Sequence, residues 1–201
     1  MPAKTTVKHK IALVGDSGVG KSKILSSYLG ERFNPLYVQT RERETKNTVV
    51  NVGRRVVELQ IWDTPGNDHF RTVTAAYVQE DVQGVVVVFD VTNYDSFLNV
   101  HHWVKTVEQY ARQDNVNFVF VGNKTDMEEK RKVSKEHGEE VGKLTSMTVT
   151  HFLPVQIFQR MTEIILGIDE GSNTYNDRKS GAGDSGNYNG RVEQKGFCSF
   201  L

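Results

Sequence analysis

The sequence predicts an α/β fold built on a mostly parallel sheet. Over residues 8–168, short apolar runs alternate with segments of helical period, which is how strands and crossover helices read in one chain. Two of the runs, Val85–Val88 and Phe118–Val121, are apolar without interruption, as strands buried on both faces are. A third, Lys10–Val14, opens into a glycine-rich turn and then a helical segment.

In chain order, strand Lys10–Val14 leads through residues 15–22 into a helix from Ser22 to Leu29. Val49–Val52 and Val56–Trp62 flank Gly53-Arg54 and read as a hairpin. Phe97, Val100, Val104, Val107 and Ala111 recur at helical spacing between the two buried runs. Late in the chain Phe158, Met161, Ile165 and Ile168 do the same. Both stripes read as core packing. From Asp169 the composition turns to Gly, Ser, Asn and charge, too poor in large apolar groups to offset ordering entropy. The division is one domain over residues 1–168 and a flexible tail over 169–201. No internal repeat is present.

Composition narrows the functional classes. The chain has 201 residues, enough for one substantial core. Its 25 Lys and Arg balance 25 Asp and Glu, so no strong field points to nucleic acid. MPAKTTVKHK has no apolar segment of a secretory signal behind it, and Val85–Phe89 is too short to span a bilayer. A single cysteine excludes an internal disulfide framework. A cytosolic protein, attached to a membrane only by modification, is the expectation.

The run GDSGVGKS comprises Gly15, Asp16, Ser17, Gly18, Val19, Gly20, Lys21 and Ser22, and follows the G-x-x-x-x-G-K-S pattern between strand and helix. Its glycines let backbone N–H groups converge on phosphate oxygens, and the helix adds its positive end. Lys21 would reach the β- and γ-phosphates, and Ser22 would place a hydroxyl on Mg²⁺. The pattern arises by chance in roughly one chain per hundred of this length, and the strand-helix context makes that rarer. The loop specifies a nucleoside triphosphate without specifying its base.

Asp63 ends the strand Val56–Trp62 and is followed by Thr64-Pro65-Gly66. A carboxylate there suits a magnesium-linked acid, and Gly66 can bring its N–H against a γ-phosphate. The same four residues alone would also make a capped turn. Further on, the strand Phe118–Val121 ends in Gly122 and then Asn123, Lys124, Thr125 and Asp126. Asp126 offers two acceptor oxygens, matching guanine's N1–H and N2 amino donors, which adenine lacks. The stem of Lys124 could lie on the base, and Asn123 could tie this loop to the phosphate loop.

The motifs, their order and their spacing resemble the Ras superfamily of small GTPases over residues 8–168. ELQIWDTPGNDHFRTVTAAY and GVVVVFDVTNYDSF are most similar to its Rab branch. The resemblance implies a P-loop NTPase fold, a six-stranded sheet with helices on both faces. It implies GTP or GDP with Mg²⁺, exchange and activating factors, and effectors of vesicle traffic. The family's magnesium-binding threonine falls on Thr40, otherwise a surface threonine, and its guanine-edge aromatic on Phe33. Its DxxG falls on Asp63 to Gly66. A segment ordered through Thr40 only by the triphosphate is the physical basis of a switch. A monomer is expected.

Three departures bear on activity. Asn67 stands where the family has glutamine, one methylene too short to hold the attacking water well, and Pro65 fixes φ where alanine is usual. With Lys21 and Gly66 as the other catalytic groups, slow hydrolysis is the expectation. RERET follows Thr40 where Rab proteins show a mostly apolar signature. Between Leu144 and Phe158 the chain is about half a dozen residues short for a strand, the family's Ser-Ala-Lys loop and a helix entry. Residues 150–154 must substitute for that loop, which predicts weakened nucleotide affinity.

The only cysteine, Cys198, is fourth from the end in CSFL, a C-a-a-X arrangement whose final Leu favours geranylgeranyl. One lipid without a polybasic patch holds a membrane reversibly, which suits cycling with the cytosol. The leading reading is therefore a membrane-associated GTP switch. A scaffold with little or no nucleotide turnover is the alternative. Another P-loop enzyme would leave NKTD and CSFL unexplained.

Overall fold

The computed structural model describes residues 7–32, 36, 39–66, 81–111, 116–134, 136–137, 149–150, 154–168 and 197–200. Its elements are β1 (Val7–Val14), α1 (Lys21–Tyr28), β2 (Glu44–Val52), β3 (Arg55–Asp63) and β4 (Gly84–Asp90). There follow α2 (Tyr94–Leu98), α3 (Val100–Tyr110), β5 (Asn117–Asn123), β6 (Val149–Thr150), α4 (Pro154–Ile165) and β7 (Phe197–Phe200). The sheet order is β2-β3-β1-β4-β5-β7-β6. Only β2 runs antiparallel to its neighbour; the remaining pairs are parallel.

Sequence dictates the layers through strand alternation. Successive side chains of a strand point to opposite faces, so each apolar run feeds two cores. Ala12, Val14, Val85, Val87, Phe89, Phe118 and Phe120 pack on one face against Val100, Trp103 and Val107. Ile11, Leu13, Val86, Val88, Val119 and Val121 pack on the other against Ile24, Leu25, Ile157, Phe158 and Met161. Thus α2 and α3 cover one face and α1 and α4 the other. The α/β class is as the sequence predicts.

The hairpin forms as its pattern predicts, with Val52 opposite Arg55 and Gly53 at φ +58°. The apolar stripe from Phe97 to Ala111 spans two helices, because the chain turns at Asn99 between α2 and α3. Among the described residues the sheet has seven strands, one above the implied six. The extra strand is Phe197–Phe200, which the sequence assigns to the tail, and it aligns Val119 with Phe197 and Gly122 with Phe200. It lies between β5 and β6, pairing Cys198 with Val149 and Ser199 with Thr150 on its far side. Residues 169–196 and 201 of the expected tail lie outside those described.

Candidate nucleotide site

Parallel topology brings the ends of β1, β3, β4 and β5 to one edge of the sheet, where α/β folds bind ligands. Residues 15–20 leave β1 there and enter α1 at Lys21. Gly20 caps the helix at φ +103°, ψ +18°, and an added Cβ would strike the Asn123 side chain. Only glycine meets both demands. No side chain caps α1 and its first turn holds no acid, so its leading amides are left for an anion.

Lys21 is buried, and its Nζ donates to the carbonyls of Gly15 at 2.8 Å and Asp16 at 2.9 Å. Burial lowers its pKa to about 8, against the opposing pull of Asp63 and Asp16. Asp16 is held in turn by Asn99 and Trp103, whose Nδ2 and Nε1 donate to its two carboxylate oxygens. Ser17 and Gly18 are exposed at the loop's tip, and Val19 is buried beneath it.

Three oxygens converge beside Lys21. Ser22 Oγ lies 3.0 Å from Thr40 Oγ1 and donates to Asp63 Oδ2 at 2.5 Å, while Thr40 Oγ1 is 3.4 Å from the same carboxylate oxygen. Asp63 Oδ1 is buried without a hydrogen-bond partner among the described residues. Burial raises the Asp63 pKa and Glu44 adds to the rise, while Ser22, Lys21 and Thr40 oppose it. An orphaned carboxylate oxygen beside two hydroxyls suits a hard, oxygen-seeking cation. Among the described residues no three His, Cys, Asp or Glu side chains gather, so the protein side of this cluster is one carboxylate and two hydroxyls. That donor set fits Mg²⁺.

The turn after Asp63 is fixed by Thr64, whose Oγ1 donates to the Leu13 carbonyl at 2.6 Å. Gly66 then passes so close to the Asp16 backbone and Lys21 Nζ that a Cβ there would collide with both. At the end of β5, Asn123 Nδ2 donates to the Val19 carbonyl at 2.8 Å, joining the NKTD segment to the phosphate loop. Lys124 has φ +65°, and its Nζ pairs with Asp90 Oδ2 at 2.7 Å. Burial raises the Asp90 pKa, but bonds from Lys124 and Thr92 outweigh it and hold the carboxyl below its usual range. Asp126 stands exposed in the turn beyond.

The structure thus gathers Gly15–Ser22, Thr40, Asp63, Gly66, Asn123 and Lys124. Phe33 and Asn67 lie outside the described residues. Cys198 lies in β7, aligned with Phe120 on one side and Val149 on the other. Sequence reasoning did not single out Asp90, Asn99, Trp103 or Arg43. Trp103 and Asn99 sit four residues apart on one helical face, a signal visible only once a polar acceptor is placed opposite.

The fold is that of a P-loop NTPase, an α/β protein with a mostly parallel sheet. The Ras family model matches residues 10–153, and the chain belongs to that family, with a Rab-like sequence. It is 46% identical over 133 residues to Ras-related protein SEC4 of Candida albicans, covering 66% of this chain and 62% of the relative. To Ras-related protein Rab-8B of Homo sapiens it is 40% identical over 132 residues, 66% of this chain and 63% of that one. To GTP-binding protein yptV2 of Volvox carteri it is 45% identical over 131 residues, 65% and 59% of the two chains. The matches span about three fifths of these relatives' lengths.

Proposed function

We propose that this chain is a GTP-binding molecular switch that takes GTP or GDP with Mg²⁺ and regulates vesicle traffic through effector, exchange-factor and activating proteins. The observation that carries this reading is the convergence of Ser22, Thr40 and Asp63 oxygens beside Lys21. Mg²⁺ held by these three groups would neutralise charge on the β- and γ-phosphates. Thr40 belongs to an irregular segment before β2, and that placement lets it follow the γ-phosphate. Gly66, free of a side chain, presents its N–H to the same group. Asp126 reads guanine, two residues on from Lys124, whose ammonium is paired with Asp90.

Hydrolysis in this reading is slow, because Asn67 is one methylene short of the glutamine that orients water. Nucleotide is held less tightly than in relatives with the Ser-Ala-Lys loop, since only residues 151–153 separate β6 from α4. Geranylgeranyl on Cys198 supplies a reversible membrane anchor on the cytoplasmic face. Among the described residues no helix is long and apolar enough to cross a membrane.

The test is nucleotide content of the purified chain, followed by single-turnover hydrolysis of GTP with Mg²⁺. Bound guanine nucleotide and slow GDP formation are expected, with Asn67→Gln accelerating it by roughly tenfold or more. A chain that binds no nucleotide and turns none over is a scaffold, and the switch reading is then wrong.

A further inference from the structure

We propose that Asn99 and Trp103 are positioning residues for the phosphate-binding loop, acting through the Asp16 carboxylate. The inference rests on the nucleotide-binding reading and concerns how tightly nucleotide is kept. Asn99 Nδ2 donates to Asp16 Oδ2 at 2.7 Å, and Trp103 Nε1 donates to Oδ1 at 2.8 Å. The two donors stand one helical turn apart, so a single helix face grips both oxygens. Hydrogen bonds to an ionised carboxylate are short and about twice as strong as neutral ones.

What the carboxylate anchors gives the contact its meaning. The Asp16 carbonyl accepts Lys21 Nζ at 2.9 Å, and its backbone lies against Gly66 too closely for any Cβ. Asp16 is therefore where the phosphate loop meets both the phosphate-binding lysine and the γ-phosphate-facing glycine. The grip itself comes from outside the loop. Trp103 is 1% exposed, within the buried cluster that also holds Trp62, Val87, Phe89 and Val107, so its N–H has little freedom to move. Asn99, at the junction of α2 and α3, is fixed by its N–H to the Asp95 carbonyl at 2.9 Å and its carbonyl to Trp103 N–H at 3.1 Å. A rigid helix thus sets the position of a loop whose tip, Ser17 and Gly18, is exposed. Displacements of about 1 Å in such positioning groups cost large factors.

The experiment measures release of fluorescent GDP and GTP analogues from the full chain with Mg²⁺. Trp103→Phe keeps the ring in the core and removes only the donor; Asn99→Ala removes the other. Each is expected to speed release of both analogues by about tenfold, with guanine-over-adenine preference unchanged. In an Asp16→Ala background neither change should add a further effect, because the acceptor is gone. Asp16→Asn, which keeps one oxygen acceptor, should release more slowly than Asp16→Ala.

Wild-type release from both single variants, with a lowered Tm, would show that these residues only pack the core and would overturn the inference. Equal effects with and without Asp16 would do the same. Should Trp103→Phe fail to fold, the partly exposed Asn99 carries the test alone. If the wild type keeps a nucleotide other than guanine, the guanine reading falls and the positioning role is scored on that nucleotide's release. A wild type that binds no nucleoside phosphate overturns both.

Discussion

Lys21 shows what a buried ammonium does to pH dependence. Its pKa falls from 10.5 to about 8 because burial penalises the charge more than Asp63 and Asp16 favour it. Between those values the unfolded chain binds the proton that the fold does not, so this group adds stability as pH rises through that window. Phosphate reverses the preference by favouring the ammonium. Calorimetry of GDP binding in buffers of different ionisation enthalpy should find little proton uptake below about pH 8 and an affinity falling by up to about tenfold per pH unit above it. An affinity flat to about pH 10 would contradict the assignment of Lys21 to the phosphates. Lys21, Asp63 and Asn123 could be singled out from sequence because each belongs to a contiguous motif, and the structure brings them to one edge of the sheet. Trp103 could not, since its partner Asp16 lies 87 positions away and nothing local marks the bond. Arg43 belongs to the same group. Its guanidinium sits 4.4 Å over the Trp62 ring, with Lys10 at 5.6 Å, so the charged segment after Thr40 still docks on the sheet.

Elements form where local pattern and tertiary demand agree. The β4 and β5 runs are buried throughout or nearly so, and β-branched residues suit that setting. On α4, Phe158 is fully buried and its ring lies 4.4 Å from that of Tyr28, which links α4 to α1 behind the phosphate loop. Phe158→Ala should cost about 3–5 kcal/mol, read as a lowered urea midpoint with m unchanged. A loss under about 1 kcal/mol would mean that the α1–α4 contact is not a closed core. By contrast β7 was not legible. FCSF is short and follows a polar stretch, so no periodicity announces a strand. Its strand character comes from the edge of β5, a partner nearly eighty positions away.

The sheet works as a single frame for the whole molecule. Its strand ends place the phosphate loop, Asp63, Asp90 and Asn123 along one edge, and the alternation of strands and helices made that edge predictable. What the alternation could not predict is how the sheet finishes beyond β5. Removing residues 197–201 should expose the β5 edge and speed amide hydrogen exchange at Val119–Gly122, with a Tm lower by roughly 2–4 °C per kcal/mol lost. Unchanged exchange there would mean that β7 contributes nothing to the sheet. The lipidation proposed for Cys198 would require β7 to leave the sheet, because a strand paired on both sides cannot also lie extended in a transferase. Sheet pairing and the proposed membrane attachment would exclude each other at these residues.

The position of β7 also decides how this protein can be labelled. Parallel to β5, it ends with Phe200 opposite Gly122, one residue short of the segment assigned to the base. A fluorescent protein joined beyond Phe200 would therefore start close to that rim. Fused ahead of Val7, it would leave from the opposite edge of the sheet, where β1 begins and both Val7 and Lys8 are exposed. Imaging and pull-down reagents therefore belong ahead of β1, away from the rim that holds the candidate site.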